Sequence, residues 1–245
     1  MYDNHFSSLN QRNRDVRPDI SVYRDSIRIP KSLRERTKND YSTLKAILQK
    51  HARFSQFCSD VHLRIMFFDD SGPDVIENGF AHTIRNVICL PLTRYTNLDA
   101  DKRTILLLHE AFHVFQRMFP FEFNKMLFDE FNMEVYSFSD IHPEARFNPD
   151  LNRLLYKDAG IYNVMLLNSD ATTLGDAKIH EIKLDEQKIQ SQYKQLKAHF
   201  SRRIRLQEEH PYETFACILA QHMFDGHKAC KCGMCSKLNR WLEQK

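Results

Sequence analysis

Glycine is scarce, with 6 in a chain of 245 residues. None of them forms the glycine-rich loops that cradle nucleotide phosphates, so those binding classes are excluded. No apolar run approaches the roughly 18 residues that a membrane-spanning helix needs. The opening Met1-Tyr2-Asp3-Asn4-His5-Phe6 has neither the basic stretch nor the apolar stretch of a secretory signal. An excess of one charge is also missing. Lys and Arg number 35 and Asp and Glu 32, a net charge of +3, which is too small to argue for a polyanionic partner. The basic clusters at 12–17, 31–38 and 202–205 are read as solvated faces. Cysteine is sparse too: of 6 in the chain, three crowd at 230, 232 and 235, unlike a secreted disulfide framework. The expectation is a cytoplasmic protein without a membrane span. Hydrophobic residues make up 42% and charged residues 27%, ordinary for a folded soluble chain long enough to bury a full core.

Against that plain background one run carries chemistry. Residues 109–113 read His-Glu-Ala-Phe-His, preceded by Ile105-Leu106-Leu107-Leu108 and followed by Val114-Phe115. The apolar flanks predict a buried helix, on which His109 and His113 at i and i+4 share one face and can bind one Zn²⁺. Glu110 is then placed as general base toward a water that the metal activates. A catalytic zinc takes three protein ligands, so the third must come from elsewhere in the chain.

The periodicities organise the rest. Residues 1–30 are polar and aperiodic, a peripheral arm. Leu33, Leu44, Ile47, Leu48 and Phe54 predict one or two amphipathic helices over 32–57. Alternation predicts a strand at 61–67, and 80–83 with 86–91 predict two strands joined by a tight turn. Asp99 is the expected N-cap of the motif helix, which runs to Pro120. The middle, from Phe121 to about Thr173, is rich in Phe, Asn and Asp and mixes short helical stretches with turns, with no clear helix to return Glu130 and Glu134 to the metal. Ile189, Tyr193, Leu196, Phe200 and Ile204 form an apolar stripe on a helix over 184–206. Pro211 opens another helix, which stops at Gly226.

His109-Glu110-Ala111-Phe112-His113 resembles the zincin metallopeptidases, and Pro211-Tyr212-Glu213-Thr214-Phe215-Ala216 resembles the helix that supplies a glutamate ligand in their gluzincin branch. The resemblance covers 77–119 and about 208–224. It implies an α+β fold with a small mixed or antiparallel sheet, an active-site helix and a mostly helical carboxy-terminal half. The domain would span 31–226, with a Cys/His-rich tail at 227–245. The resemblance also implies an edge strand at 80–83 that pairs with extended substrate, and Glu213 as third ligand. Gln116 and Phe119 stand where metzincins have Gly and His, so that branch is excluded. Two departures stand out: the interval from the motif to Glu213 is long, and Cys217 replaces an acidic residue often found there.

Other residues compete for these roles. Glu130, Glu134, Asp176, Glu181 and His210 rival Glu213 as ligand, but Glu213 sits in the first turn of a helix whose face Phe215, Ile218 and Leu219 can dock rigidly. Tyr212, Tyr156, Tyr162 and His142 are candidates to stabilise an oxyanion. In the tail, His227, Cys230, Cys232 and Cys235 have donor types and spacings that could wrap a second, structural zinc. Cys58, Cys89 and Cys217 lie in apolar segments, as buried thiols do. The expected activity is zinc-dependent hydrolysis of peptide or protein substrates. The alternatives are a catalytically silent zincin-like scaffold or a zinc-stabilised interaction protein. Nucleic-acid binding rests only on the tail and a pI near 8.5 and is not expected.

Overall fold

The computed structural model describes residues 29–71, 79–136, 145–146, 155–158, 161–166, 178–183, 191–202, 204, 206, 210–226 and 232–244. In chain order the helices are α1 (Lys31–Leu48), α2 (Ala52–Asp60), α3 (Leu92–Asn97), α4 (Ala100–Met118), α5 (Pro120–Phe131), α6 (Gln192–Phe200), α7 (Pro211–Phe224) and α8 (Gly233–Glu243). The strands are β1 (Arg64–Phe68), β2 (His82–Ile84), β3 (Val87–Pro91), β4 (Met133–Tyr136), β5 (Ala145–Arg146), β6 (Leu155–Asp158), β7 (Ile161–Leu166) and β8 (Lys178–Lys183). The class is α+β, with two small sheets. The described residues divide into two compact units, one holding those from 29 to 118 with those from 219 onward, the other those from 119 to 218. The division falls inside α7.

In the first unit the sheet order is β1-β3-β2. β3 lies parallel to β1, with Arg64 opposite Val87, and antiparallel to β2, with His82 opposite Cys89. Its five residues are all buried, as the continuous apolar run Val87-Ile88-Cys89-Leu90 requires of a central strand. Between β2 and β3, Arg85 takes φ 54°, a left-handed conformation uncommon outside glycine. Arg117 of α4 holds that turn, donating from Nη1 to the Arg85 carbonyl at 2.8 Å and from Nη2 to Thr83 Oγ1 at 2.8 Å. The motif helix is thereby tied to the edge hairpin, and α4 packs against both β2 and β3.

Apolar side chains and one buried charge network hold the helices of this unit. Phe54 of α2 meets Phe112 and Phe115 of α4 and Trp241 of α8, with ring centroids 5.0, 4.6 and 6.0 Å away. The first and third are the edge-on arrangements that aromatic quadrupoles favour, and the second is tilted at 45°. Asp40 of α1 accepts from Arg103 Nε of α4 at 2.7 Å and from Tyr95 OH of α3 at 2.7 Å. Burial, followed by the bond to Asp40, pushes the Tyr95 phenol far above its usual range, so it remains a donor. Asp70 accepts from the backbone N–H groups of Thr93 and Arg94 at 2.7 and 2.9 Å, capping α3 from across the sequence.

In the second unit, β7 pairs antiparallel with β8 along its length, with β6 at Ile161 and with β5 at Met165 and Leu166; β6 pairs with β4. Where short helical stretches and turns are expected, the start of the Phe-rich stretch forms one continuous helix, α5. Pro120 occupies its first turn and Asn132 ends it in the left-handed conformation, φ 53°. Phe123, Met126, Leu127 and Phe131 form its buried face, while Phe121 and Phe128 are exposed. Phenylalanine on both faces hides the helical period. Of the helix expected over 184–206, residues 184–190, Ile189 among them, lie outside the described residues, and the described part ends at Phe200. Among the described residues it is α6, begun by Ser191, whose Oγ accepts from Lys194 N at 2.7 Å and donates to Asp158. Its face Tyr193, Leu196 and Phe200 is buried as the stripe requires.

Candidate metal centre

α4 begins where expected. Asp99 Oδ1 accepts from Lys102 N at 2.8 Å, the bond an N-cap makes. The helix is buried almost all round from Leu107 to Gln116, with His109 half-buried. Three of the enclosed residues are polar: Glu110, His113 and Gln116. Glu110 is buried at 3% exposure, and taking a carboxylate out of water costs free energy that its surroundings must offset.

The two histidines of the motif converge. Their ring centroids are 4.6 Å apart, nearly perpendicular at 83°, and the Nε2 atoms approach to 2.9 Å. The i, i+4 spacing places both rings over one turn. His113 Nδ1 lies 2.9 Å from Gln116 Oε1. An amide oxygen only accepts, so Nδ1 carries a proton, the tautomer that in the neutral ring leaves Nε2 its lone pair. Zinc–nitrogen bonds of about 2.0–2.1 Å in a tetrahedron put two donors about 3.3 Å apart. The rings need to open by only a few tenths of an Å to hold such an ion. The donor set fits a zinc ion.

Glu213 belongs to the other unit. It lies in the first turn of α7 and is buried at 4% exposure. The start of α7 is held firmly. His210 Nδ1 accepts from Tyr212 N at 3.1 Å, and the Tyr212 and Tyr156 hydroxyls both donate to Asn124 Oδ1 at 2.8 Å. Phe123 packs edge-on against the Tyr212 ring, and Tyr193 OH donates to Thr214 Oγ1 at 2.9 Å. α7 stops before Gly226, which takes φ 68°, as the sequence predicts.

The other sequence candidates are distributed as follows. Glu134 is exposed on β4 and pairs with Lys157 at 2.8 Å. Glu181, on β8, pairs with Lys194 at 2.6 Å. Glu130 is half-buried on α5, and Tyr162 lies in β7 opposite Ile182. His142, Asp176, His227 and Cys230 fall outside the described residues. Cys232 is the N-cap of α8 and Cys235 lies buried in its first turn. Cys89 is buried as expected, but Cys58 and Cys217 are only half-buried.

β2 overlaps the strand expected at 80–83, beginning two residues and ending one residue later, and β3 is its one strand partner among the described residues. His82 and Thr83 are buried, and Phe80, just before the strand, is exposed beneath the Arg94 guanidinium at 5.0 Å. Sequence reasoning missed two residues here. Gln116 was weighed only for what it replaces, although its i+3 spacing from His113 already signals the contact. Asn124, which receives two tyrosine hydroxyls, gives no local signal because its donors are distant in sequence. No protein-family model, curated protein or solved structure matches the chain.

Proposed function

We propose that the chain is a zinc-dependent metallopeptidase of zincin-like fold and gluzincin-like type, acting on peptide or protein substrates. The observation that carries this reading is the convergence of His109 and His113 Nε2 at 2.9 Å on a buried helix, beside the buried carboxylate of Glu110. His109 and His113 hold the metal, with Glu213 as the proposed third ligand. A bound zinc supplies Lewis acidity that lowers the pKa of a water to about 7 and polarises a carbonyl.

The chain's own residues do the rest. Gln116 orients His113 through Nδ1. Glu110 Oε takes the proton of the attacking water and delivers it to the leaving amine nitrogen. The edge of β2 away from β3 is where an extended substrate would add as a strand, setting the register of the peptide against the motif helix. Among the described residues no helix is long and apolar enough to cross a membrane.

Two variants test the reading on the purified protein. Glu110→Gln keeps shape and ligands but cannot accept a proton. It is expected to retain zinc and to lose about 10²–10⁴-fold in peptide hydrolysis. Replacing His109 or His113 with Ala removes one protein bond to the metal and is expected to empty the site. A well-folded wild-type protein without zinc would overturn the metal reading. Zinc without hydrolysis of any peptide library would favour the silent scaffold. Glu213→Ala should weaken zinc binding, while Glu130→Ala should not; the reverse result would remove the gluzincin assignment and keep the zincin one.

A further inference from the structure

The chain carries a second group of soft donors that the peptidase reading does not use. Cys232 is the N-cap of α8, and its Sγ accepts from the backbone N–H of Cys235 at 3.5 Å. The ligand atoms Sγ of Cys232 and Sγ of Cys235 lie within 4.8 Å of each other. The x-x spacing folds both sulfurs onto the first turn of one helix, and Gly233 between them has no atom within 4 Å of the position a Cβ would take. Neither sulfur is in a disulfide.

Three features favour metal binding. The two sulfurs lie within 4.8 Å of each other at the start of one helix, so the fold already brings together the donors that chelation needs. Both face the positive end of the α8 dipole, which suits anionic ligand atoms. The helix behind them is anchored, because Cys235, Leu238, Trp241 and Leu242 are all buried, and Arg53 of α2 donates to the Trp241 carbonyl at 2.9 Å. Two cysteines two residues apart at a tight turn are the half-set from which tetrahedral zinc sites are built.

We propose that Cys232 and Cys235 form a thiolate pair that binds a soft divalent metal ion, zinc foremost, with a donor set distinct from the His109–His113 pair. On binding, each thiol gives its proton to solvent as its sulfur–metal bond forms, with no change of oxidation state. The site requires no activity at the motif helix, so either can fail without the other.

Cobalt titration of reduced, full-length protein tests this directly, because only sulfur ligands give the strong near-ultraviolet charge-transfer absorption. That absorption is expected in the wild type, to be displaced by zinc, and to persist in Cys58→Ser. It is expected to vanish in the Cys232→Ser/Cys235→Ser double variant, with loss of one equivalent of tightly bound metal. Should the double variant misfold, alkylation of the wild type gives the same answer: zinc should slow the modification of Cys232. Absence of the band, its survival in the double variant, or unchanged alkylation would overturn the proposal. So would a Cys232–Cys235 disulfide in freshly purified protein, which would make the pair a redox couple.

Discussion

Gln116 fixes His113 by a bond between two buried side chains, 2.9 Å from Nδ1 to Oε1. Partners on the far nitrogen of a ligating histidine set its tautomer and direction, and removing them typically costs about 10–100-fold in metal affinity. Gln116→Leu, close in volume and without an acceptor, is expected to lose zinc affinity by that factor in chelator competition while keeping its far-ultraviolet dichroism. Unchanged affinity would mean that packing alone holds the ring. Asp40 is a residue of the opposite kind, structural and charged. Asp40→Ala leaves Arg103 buried without its carboxylate, and losing one partner of a buried pair costs about 3–5 kcal/mol. Urea denaturation should show that loss, and a change below about 1 kcal/mol would mean that solvent reaches the pair.

At the scale of elements, a buried carboxyl lies against the cap of α6. Asp158 is buried at the end of β6 and accepts from Ser191, the residue that caps α6. Burial pushes its carboxyl above the usual carboxylate range, against the opposing bond from Ser191 and the charges of Lys194 and Lys197. The folded protein then holds the proton more tightly than the unfolded chain, whose carboxyl titrates near about 3.9. Stability contributed by this group is therefore full below that value and falls as the pH rises through the folded pKa. Asp158→Asn keeps an acceptor for Ser191 and abolishes the titration. It should match or exceed the wild type in urea denaturation at pH 7 and lose that advantage near pH 4. A variant weaker at pH 7 would show that the charge itself secures the cap.

At the scale of the whole molecule, the carboxy-terminal helix is part of a core rather than a loose tail. α8 packs against α2, and Trp241, the one tryptophan of the chain, is buried beside Phe54 and Phe115. Trp241→Ala removes a large buried side chain and should cost about 3–5 kcal/mol. In the wild type, tryptophan fluorescence reports this unit directly, so its native emission should be blue-shifted and move to the red in one transition with denaturant. Emission already at the wavelength of exposed tryptophan would place α8 outside the core.

Local rules sufficed wherever the information was local. Asp99 and the apolar flanks predict α4, the i, i+4 spacing predicts the meeting of His109 and His113, and Pro211 with Gly226 brackets α7. Hairpin β2–β3 follows from alternation around a two-residue turn. These features depend on backbone geometry and side-chain spacing within about one to five turns of chain. Tertiary structure decided what distance in sequence hides. Phenylalanine on both faces of α5 erases its period, and only burial of Phe123, Met126, Leu127 and Phe131 shows which side is the core. Asn124 serves Tyr156 and Tyr212 because two distant segments fold onto it, and Asp40 finds Arg103 and Tyr95 across three helices. A side chain's partner across long separations is set by the packing of the entire core, which no window of sequence contains.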